Sequence, residues 1–243
     1  MINLSYNLSP RLRDNLHKMD LLRQKILLYP ISPSEELELQ WETKLDRIYW
    51  QLSLEENALT KKEISSALSS QPKKKRDSVD SLVLKLGRTQ NFLKENWLVS
   101  PVAPSPKDIT NLYRALSGLS VSLSDDSLAK TLEYLKATPE HPLIPAAIIH
   151  LEILSLGSEL PYKHSLALLA SYLFLYKFGY DVRGLIVLEE SLKKDLMVYD
   201  KNTNSALSGD GMSLTLWLEY FSGIMIWSLE RAFREITAQR TSS

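Results

Sequence analysis

Glycine scarcity constrains this chain more than any other feature of its sequence. Only 8 of the 243 residues are glycine, roughly half of the usual share of about 7%. A loop that cradles phosphate needs residues that tolerate a left-handed φ, and glycine does so without steric cost. No GxGxxG or GxxxxGK[ST] motif can be written in the sequence. Because leucine is abundant as well, the composition predicts an all-α fold and argues against ordinary phosphate loops.

Other absences narrow the class of protein. The chain has no cysteine, which excludes a disulfide framework, thiolate-based zinc sites and cysteine nucleophiles. Its 29 basic and 29 acidic residues balance, so no net charge favours nucleic acid or an anionic membrane as a partner. The first residues carry charges and no apolar run, unlike a signal peptide. The longest apolar stretch, 166–176, is shorter than the roughly 20 residues of a spanning helix. We therefore expect a soluble, cytoplasmic protein.

Apolar residues recur at helical spacing along most of the chain. Ser34 is predicted to open the second helix, with Glu35 and Glu36 in its first turn. Segments 146–156 and 165–178 are apolar on nearly all sides and predict two buried central helices, the second ending at Gly179. An amphipathic helix over 187–199 and a polar loop over 200–211 should follow. We expect an N-terminal helical region, 1–105, to form a layer on a core region, 106–238.

Five segments, in this order, resemble the Fic (Fido) family. The N-terminal one is similar to the family's S-x-x-I-E-G-N-x-L-T-x-x-E pattern, and the others resemble its core helices. The five segments are 49–63 (YWQLSLEENALTKKE), 141–150 (HPLIPAAIIH), 168–181 (LLASYLFLYKFGYD), 188–191 (LEES) and 209–221 (GDGMSLTLWLEYF). They extend over about residues 40 to 230 and imply a Fic-like helical bundle.

The family's chemistry lies in an HPFxDGNGRxxR motif between the two apolar helices. An ungapped alignment places that motif on residues 157–168, where every motif residue has changed. Gly157 takes the place of histidine, Ser158 of proline, Glu159 of phenylalanine and Pro161 of the acidic residue. Tyr162, Lys163 and His164 replace the glycine-asparagine-glycine nest, and Ser165 and Leu168 replace the two arginines.

These changes imply loss of the family's AMP transfer. Gly157 cannot act as the base that takes a proton from a target hydroxyl, and Pro161 offers Mg²⁺ no ligand. Ser165 cannot neutralise phosphate charge as arginine does. Segment 119–128 is too short for the β-hairpin flap that docks a target chain by strand addition. The resemblance therefore predicts a catalytically inactive protein, a pseudoenzyme, that needs no cofactor.

Glu55 stands at the family's inhibitory glutamate. In the family this residue pairs with a motif arginine and blocks productive ATP binding. Here Gln51 replaces the preceding serine and Glu56 the following glycine, and the arginine partner is gone. We expect Glu55 to be an ordinary surface or helix-end carboxylate.

A rebuilt active site is the alternative. Glu159, Lys163 and His164 lie within six residues and could serve a divergent nucleotidyl transferase that uses ATP and Mg²⁺ to modify protein hydroxyls. A charged connector opening a helix is the simpler interpretation. We expect His150 to be a hydrogen-bonded core residue and His141 a turn or cap residue. The four histidines are scattered, and no metal site is predicted.

Partners are predicted only in kind. A protein partner or a second copy should bind an exposed helical face, and the loop over 200–211 is a candidate contact. Nucleic acid is not expected as a partner. The chain is balanced in charge, and its one basic run is predicted to be a solvated linker; the run consists of Lys73, Lys74, Lys75 and Arg76. One stripe of aromatic and aliphatic residues near the C-terminus is expected to pack in the core. The alternative is that this stripe also forms part of a subunit interface. Its members are Trp217, Tyr220, Phe221, Ile224 and Trp227.

Overall fold

The fold is taken from a computed structural model of the chain. It describes residues 2–69, 78–96, 103–119, 126–137, 141–157, 160–209 and 211–239. Within these ranges the regular structure is entirely helical, which confirms the all-α prediction. The helices are α1 (Pro10–Leu28), α2 (Pro33–Leu54), α3 (Lys61–Ser69), α4 (Ser78–Asn96), α5 (Pro106–Ser117), α6 (Asp126–Ala137), α7 (Leu143–Ser155), α8 (Lys163–Lys177), α9 (Glu189–Lys194), α10 (Leu196–Ser208) and α11 (Gly211–Gln239), with a 3₁₀ turn at Val182–Gly184.

Side-chain caps define where the N-terminal helices begin. Helix α2 starts from Ser32, whose hydroxyl accepts from the N–H of Glu35 while the Glu35 carboxylate accepts from the N–H of Ser32. The predicted start at Ser34 was therefore two residues late, because Pro33 fits the first helical turn, where its missing N–H costs nothing. Thr60 and Glu63 form the same reciprocal cap before α3.

Helices α7 and α8 form the centre of the protein and pack along each other. Every residue of α7 from Leu143 to Leu154 is buried, as are nearly all of those in α8. Gly179 follows α8 with φ of 72°. The N–H of Tyr180 donates to the carbonyl of Leu175 (2.7 Å) and that of Gly179 to Tyr176 (3.0 Å). This is the left-handed helix end that glycine favours, as predicted.

The N-terminal helices lie against this centre as a layer. Helix α1 runs along α11, and α2 contacts α8 and α9. One apolar core includes buried residues from Ile2 to Ile236, so side chains on both sides of the predicted boundary at residue 105 pack together. The division into two regions stays a prediction.

The prediction for 187–211 was wrong. Val187 and Leu188 precede α9 instead of belonging to a helix, a break at Asp195 separates α9 from α10, and most of the predicted polar loop belongs to α10. Tyr199, Thr203 and Ala206 are buried, spaced so that one face of α10 meets the core. This helix was not predicted because asparagines and serines surround the buried residues in the sequence and make the segment polar overall.

Several sequence features lie outside the described residues. They are Ser158, Glu159, the basic run at 73–76 and most of the segment between α5 and α6 where a flap was sought. In the ranges given above, no helix is long and apolar enough to cross a membrane.

Candidate functional site

The connector between α7 and α8 is the place where the family motif would lie. Helix α7 ends at Ser155, and the N–H of Leu160 donates to the carbonyl of Gly157 at 3.2 Å. A Cβ atom added at Gly157 would meet no atom within 4 Å. Packing therefore does not demand glycine here. The position has room for a larger side chain, but the residue there is glycine, which has no group that could act as a base.

Tyr162 keeps a glycine-like backbone at the start of α8. It is the N-cap residue and has φ of 57° and ψ of 35°, the left-handed conformation. A non-glycine residue pays about 1–2 kcal/mol there. Tyr162 packs against the core, and that packing can hold a strained φ.

Glu55 occupies the N-terminus of α8. It follows the last residue of α2 and is half-buried. Its Oε1 accepts hydrogen bonds from the N–H of Ser165 (3.0 Å) and from the Ser165 hydroxyl (2.9 Å). A helix N-terminus attracts anions because its first N–H groups have no partner within the helix. An internal carboxylate thus binds where a phosphate group would otherwise be attracted.

Glu56 supports the alignment with the family's N-terminal pattern. It takes the place of that pattern's glycine and has φ of 57°, a conformation that favours glycine. The backbone turn after Glu55 is therefore present although the residue that normally permits it is not. Glu55, predicted to be an ordinary surface or helix-end carboxylate, lies at the end of α2, and its contact with Ser165 has no signal in the sequence.

His164 lies at one end of a series of side-chain contacts that continues into the core. Its Nδ1 lies 3.5 Å from the hydroxyl of Tyr199, a long contact, and that hydroxyl is 2.9 Å from Nε2 of His150. Nδ1 of His150 lies 3.2 Å from the hydroxyl of Ser171. The Ser171 hydroxyl also faces the carbonyls of Ala146 (3.0 Å) and Ala167 (2.9 Å). The chain runs from the first turn of α8 into the core.

The partners of Ser171 assign the protons in this chain. Both carbonyls can only accept, so the Ser171 hydroxyl donates to them and accepts from Nδ1–H of His150. Nε2 of His150 then accepts from the Tyr199 hydroxyl. Burial lowers the pKa of His150 to about 3, with a smaller contribution from His164, and burial raises the pKa of Tyr199. Neither buried group changes charge near neutral pH, so His150 is a core residue, as predicted.

Of the predicted trio of Glu159, Lys163 and His164, the structure describes the last two, and these contact different groups. Nζ of Lys163 lies 3.5 Å from the carbonyl of Leu156 at the end of α7, whereas His164 faces Tyr199. Glu159 lies outside the described residues. The two residues at the family's arginine positions, Ser165 and Leu168, are fully buried. Pro161, at the position of the acidic residue, is exposed.

The remaining histidine prediction is confirmed. Nδ1 of His141 accepts from the N–H of Leu143 at 3.2 Å, and Nε2 faces the hydroxyl of Tyr180 at 2.9 Å. His141 is thus a cap for α7. No group of three or more metal-binding side chains occurs among the residues that the structure describes.

The C-terminal stripe divides between core and surface. Trp217, Phe221 and Ile224 are buried, which confirms core packing for these three. Tyr220 and Trp227 are half-buried and line a surface cavity on α11. The sequence reasoning missed Tyr199 and Ser171, because neither belongs to a recognisable motif and their positions depend on how α8 and α10 pack.

Solved structures of Fic proteins resemble this chain throughout its length. A Fic family protein from Desulfovibrio desulfuricans G20 matches with a TM-score of 0.72 at 15% identity, over 95% of this chain and 76% of that chain. A Fic domain containing signaling protein from Bacteroides thetaiotaomicron VPI-5482 gives 0.68 at 15% identity, over 92% and 98%. Fic-1 (aa134 - 508) from C. elegans gives 0.66 at 17% identity, over 96% and 74%. No protein-family model and no curated protein sequence matches. The similarity shows that the chain has the Fic fold.

Proposed function

We propose that this Fic-fold chain is catalytically inactive and acts as a protein-binding or regulatory module in the cytoplasm. The observation that carries the proposal is the contact between Glu55 and Ser165 at the N-terminus of α8. In a Fic-type reaction the nucleotide phosphates would need that helix end. Here the Glu55 carboxylate accepts from the N–H and the hydroxyl of Ser165 in the first turn of that helix, and it would repel a second anion.

The residues around the connector do not fit a Mg²⁺–nucleotide complex. Pro161 has no side-chain donor, and Mg²⁺ prefers carboxylate oxygens and water. Ser165 and Leu168 carry no positive charge for the phosphates. Gly157 has no group that could accept a proton from a target hydroxyl. Base, metal ligand and phosphate clamps are each missing from the positions to which the resemblance assigns them.

Val198 (38% exposed) and Leu216 (49%) line one surface cavity and define an exposed apolar face on α10 and α11. Met197 (85%) and Met212 (60%) are exposed on the same two helices. Neighbouring exposed apolar side chains mark contact surfaces more often than single ones do, which supports a protein partner. A second copy of the chain or another protein would bury them.

An assay with labelled ATP tests the absence of catalysis. The purified protein is mixed with labelled ATP, Mg²⁺ or Mn²⁺ and cell lysate, and self-labelling and labelled bands are measured alongside ATP binding by calorimetry. Three chains are compared: the unmodified protein, Glu55→Ala and His164→Ala. Glu55→Ala separates a blocked site from a missing one, because it removes the carboxylate from α8.

We expect neither label nor ATP binding with any of the three. Labelling by the unmodified protein or by Glu55→Ala would refute the inactive assignment. Labelling by the unmodified protein that disappears in His164→Ala would favour the divergent nucleotidyl transferase. Circular dichroism of each variant confirms that a negative result comes from a folded chain.

Sedimentation tests the apolar face. The unmodified protein is compared with the double variant Val198→Lys and Leu216→Lys. A lower mass for the variant, or loss of bound proteins that the unmodified chain retains from its native host, is the expected result. Equal masses together with equal sets of retained proteins would contradict a role for this face.

A further inference from the structure

A row of residues on the outer side of α11 has the spacing of a helix-packing seam. Its members follow one another at alternating steps of three and four residues, the a and d spacing by which one helix packs against another. Each of them lines at least one of two neighbouring surface cavities, which have volumes of about 330 and 410 Å³. We call this row the α11 seam; it consists of Ser213, Leu216, Tyr220, Gly223 and Trp227.

The two cavities form one groove along the α11 seam. They meet at Arg11, Glu219 and Tyr220, which line both of them. At 1.5 Å per helical residue, the seam is about 21 Å long, the length of about four helical turns. Helices α9 and α10 contribute the rest of the lining, which includes Ser191, Lys194, Val198, Lys201, Asn202 and Ser205. The groove therefore has the dimensions of a bound helix.

Apolar side chains in the groove remain exposed. Leu216 is 49% exposed and Val198 38%, while Tyr220 and Trp227 are half-buried. Side chains at a and d spacing become buried when a second helix fits its own side chains between them. Helical grooves recognise amphipathic helices of other proteins in this way. The α11 seam thus suits an apolar stripe that repeats every three and four residues.

Gly223 leaves the middle of the seam open. It is an exposed residue within α11, where glycine weakens a helix relative to alanine. A Cβ atom added there would meet no atom within 4 Å, so packing inside the chain does not require glycine. The missing side chain allows the backbone of a partner helix to approach α11 closely between Tyr220 and Trp227. A bound helix therefore gives this glycine a role that the isolated chain does not.

Two cations on the groove already face carboxylates. The side chain of Arg11 is 73% exposed and lies 3.7 Å from Glu219. The side chain of Lys194 is 56% exposed and lies 2.6 Å from Glu190. These ion pairs reduce the attraction of both cations for an anion from outside the chain.

Among the residues that the structure describes, Lys201 is the cation on the groove without an ion pair. It is exposed and lines the same cavity as Val198 and Leu216. Asp195, an exposed carboxylate, lines the other cavity. Because exposed charges attract one another only weakly across water, Lys201 adds a modest preference for acidic flanks to the apolar contact.

We propose that this groove binds an amphipathic helix of another protein. The apolar stripe of that helix lies on the α11 seam with its backbone close to Gly223, and acidic side chains beside the stripe face Lys201. This rests on the proposed protein-binding role and names the class of partner. A second copy of the chain fits less well, because two copies placed face to face would each present a groove and neither would present the helix that fills it.

Fluorescence anisotropy with three labelled synthetic peptides tests the groove. The first has three heptads with Leu at positions a and d and Glu at e and g. It is longer than the 12–15 or so residues below which isolated helices are marginal, and its glutamates disfavour pairing with itself. The second has Lys in place of Glu, and the third has the composition of the first in scrambled order. At low salt the first should bind at least tenfold more tightly than the third and at least threefold more tightly than the second.

Gly223→Gln is the central variant. It fills the middle of the groove and should weaken the first peptide at least tenfold, while Tm rises by about 2 °C because glutamine is the better helix former. Its control, Ala115→Gln, introduces the same side chain at an exposed position of α5 and should leave the affinity unchanged. Lys201→Glu should abolish the preference for the first peptide over the second, and Lys107→Glu, also exposed on α5, should retain it.

Three results would overturn the inference. The first is that the acidic heptad peptide binds no more tightly than either of the others, or that Gly223→Gln and Ala115→Gln weaken it equally. The second is that host proteins are retained through Val198 and Leu216 while no peptide binds, which would keep the protein-binding role and remove the helix. The third is a dimer that Gly223→Gln dissociates, which would assign the groove to a second copy. The raised Tm of Gly223→Gln shows that lost binding does not come from unfolding.

Discussion

The contact between Glu55 and Ser165 makes a quantitative prediction about stability. Replacing Glu55 with alanine leaves the N–H and the hydroxyl of Ser165 without their acceptor. Ser165 is fully buried, whereas Glu55 is half-buried, so water can compensate only in part. A hydrogen bond to a charged group contributes about 1.5–3 kcal/mol. Taking the lower end for each of the two bonds, we expect the free energy of unfolding to fall by about 3 kcal/mol.

Urea denaturation and thermal melting measure this loss. For a chain of this size, about 3 kcal/mol corresponds to a fall in Tm of about 9 °C. The exposed neighbour Glu56 provides the matched control, because Glu56→Ala removes the same charge one residue away and should change stability by less than about 0.5 kcal/mol.

A double-mutant cycle separates the two bonds. Ser165→Ala removes the hydroxyl and keeps the N–H, so the coupling between Glu55→Ala and Ser165→Ala reports the hydroxyl bond alone, at about 1.5 kcal/mol. If Glu55→Ala costs no more than Glu56→Ala, or if the two changes add without coupling, Glu55 does not cap α8 in solution. The account of the blocked helix end would then be wrong.

Three further predictions concern strain, pH and ion pairing. Glu56→Gly should raise the free energy of unfolding by about 1 kcal/mol in urea denaturation, because it relieves a left-handed φ; no gain would show that the turn differs in solution. His150 has a folded-state pKa of about 3, below its ordinary value, so the stability that neutral His150 gives the fold is complete above pH about 6.5 and is lost as the pH falls. At about 1.4 kcal/mol per pH unit, the free energy of unfolding should be about 2 kcal/mol lower at pH 5. The variant His150→Gln should abolish this decrease, whereas His17→Gln, at an exposed position, should retain it. Arg231→Met should lower the free energy of unfolding by about 3 kcal/mol, because Arg231 pairs with the carboxylates of Asp46, Glu190 and Glu235; a melting temperature equal to that of the unmodified protein would argue against these pairs.

The helices themselves were largely predictable from the chain. Low glycine content, apolar spacing and Ser/Thr–Glu caps are local signals, and each acts over a few residues. The central pair α7 and α8 followed from two segments too apolar to face water. Helix α10 was missed because its buried stripe of Tyr199, Thr203 and Ala206 is short and partly polar, and because only packing against α7 and α11 makes it a stripe.

The sequence predicted where the candidate site lies in the chain, but not which of its residues contact one another. Alignment with the family pattern placed Gly157 and Pro161 at the connector and suggested which chemistry is missing there. It could not show that Glu55 reaches Ser165, since 110 residues separate them. Nor could it show the chain of hydrogen bonds from His164 to Ser171, because hydrogen-bond partners depend on helix packing.

Sequence alone determined the helical class and the two apolar central helices, because these depend on residue type and on neighbours in the chain. Tertiary structure decided how Tyr162 holds a left-handed backbone and which charges meet. Local preference disfavours that conformation by about 1–2 kcal/mol, and packing of Tyr162 against the core offsets this cost.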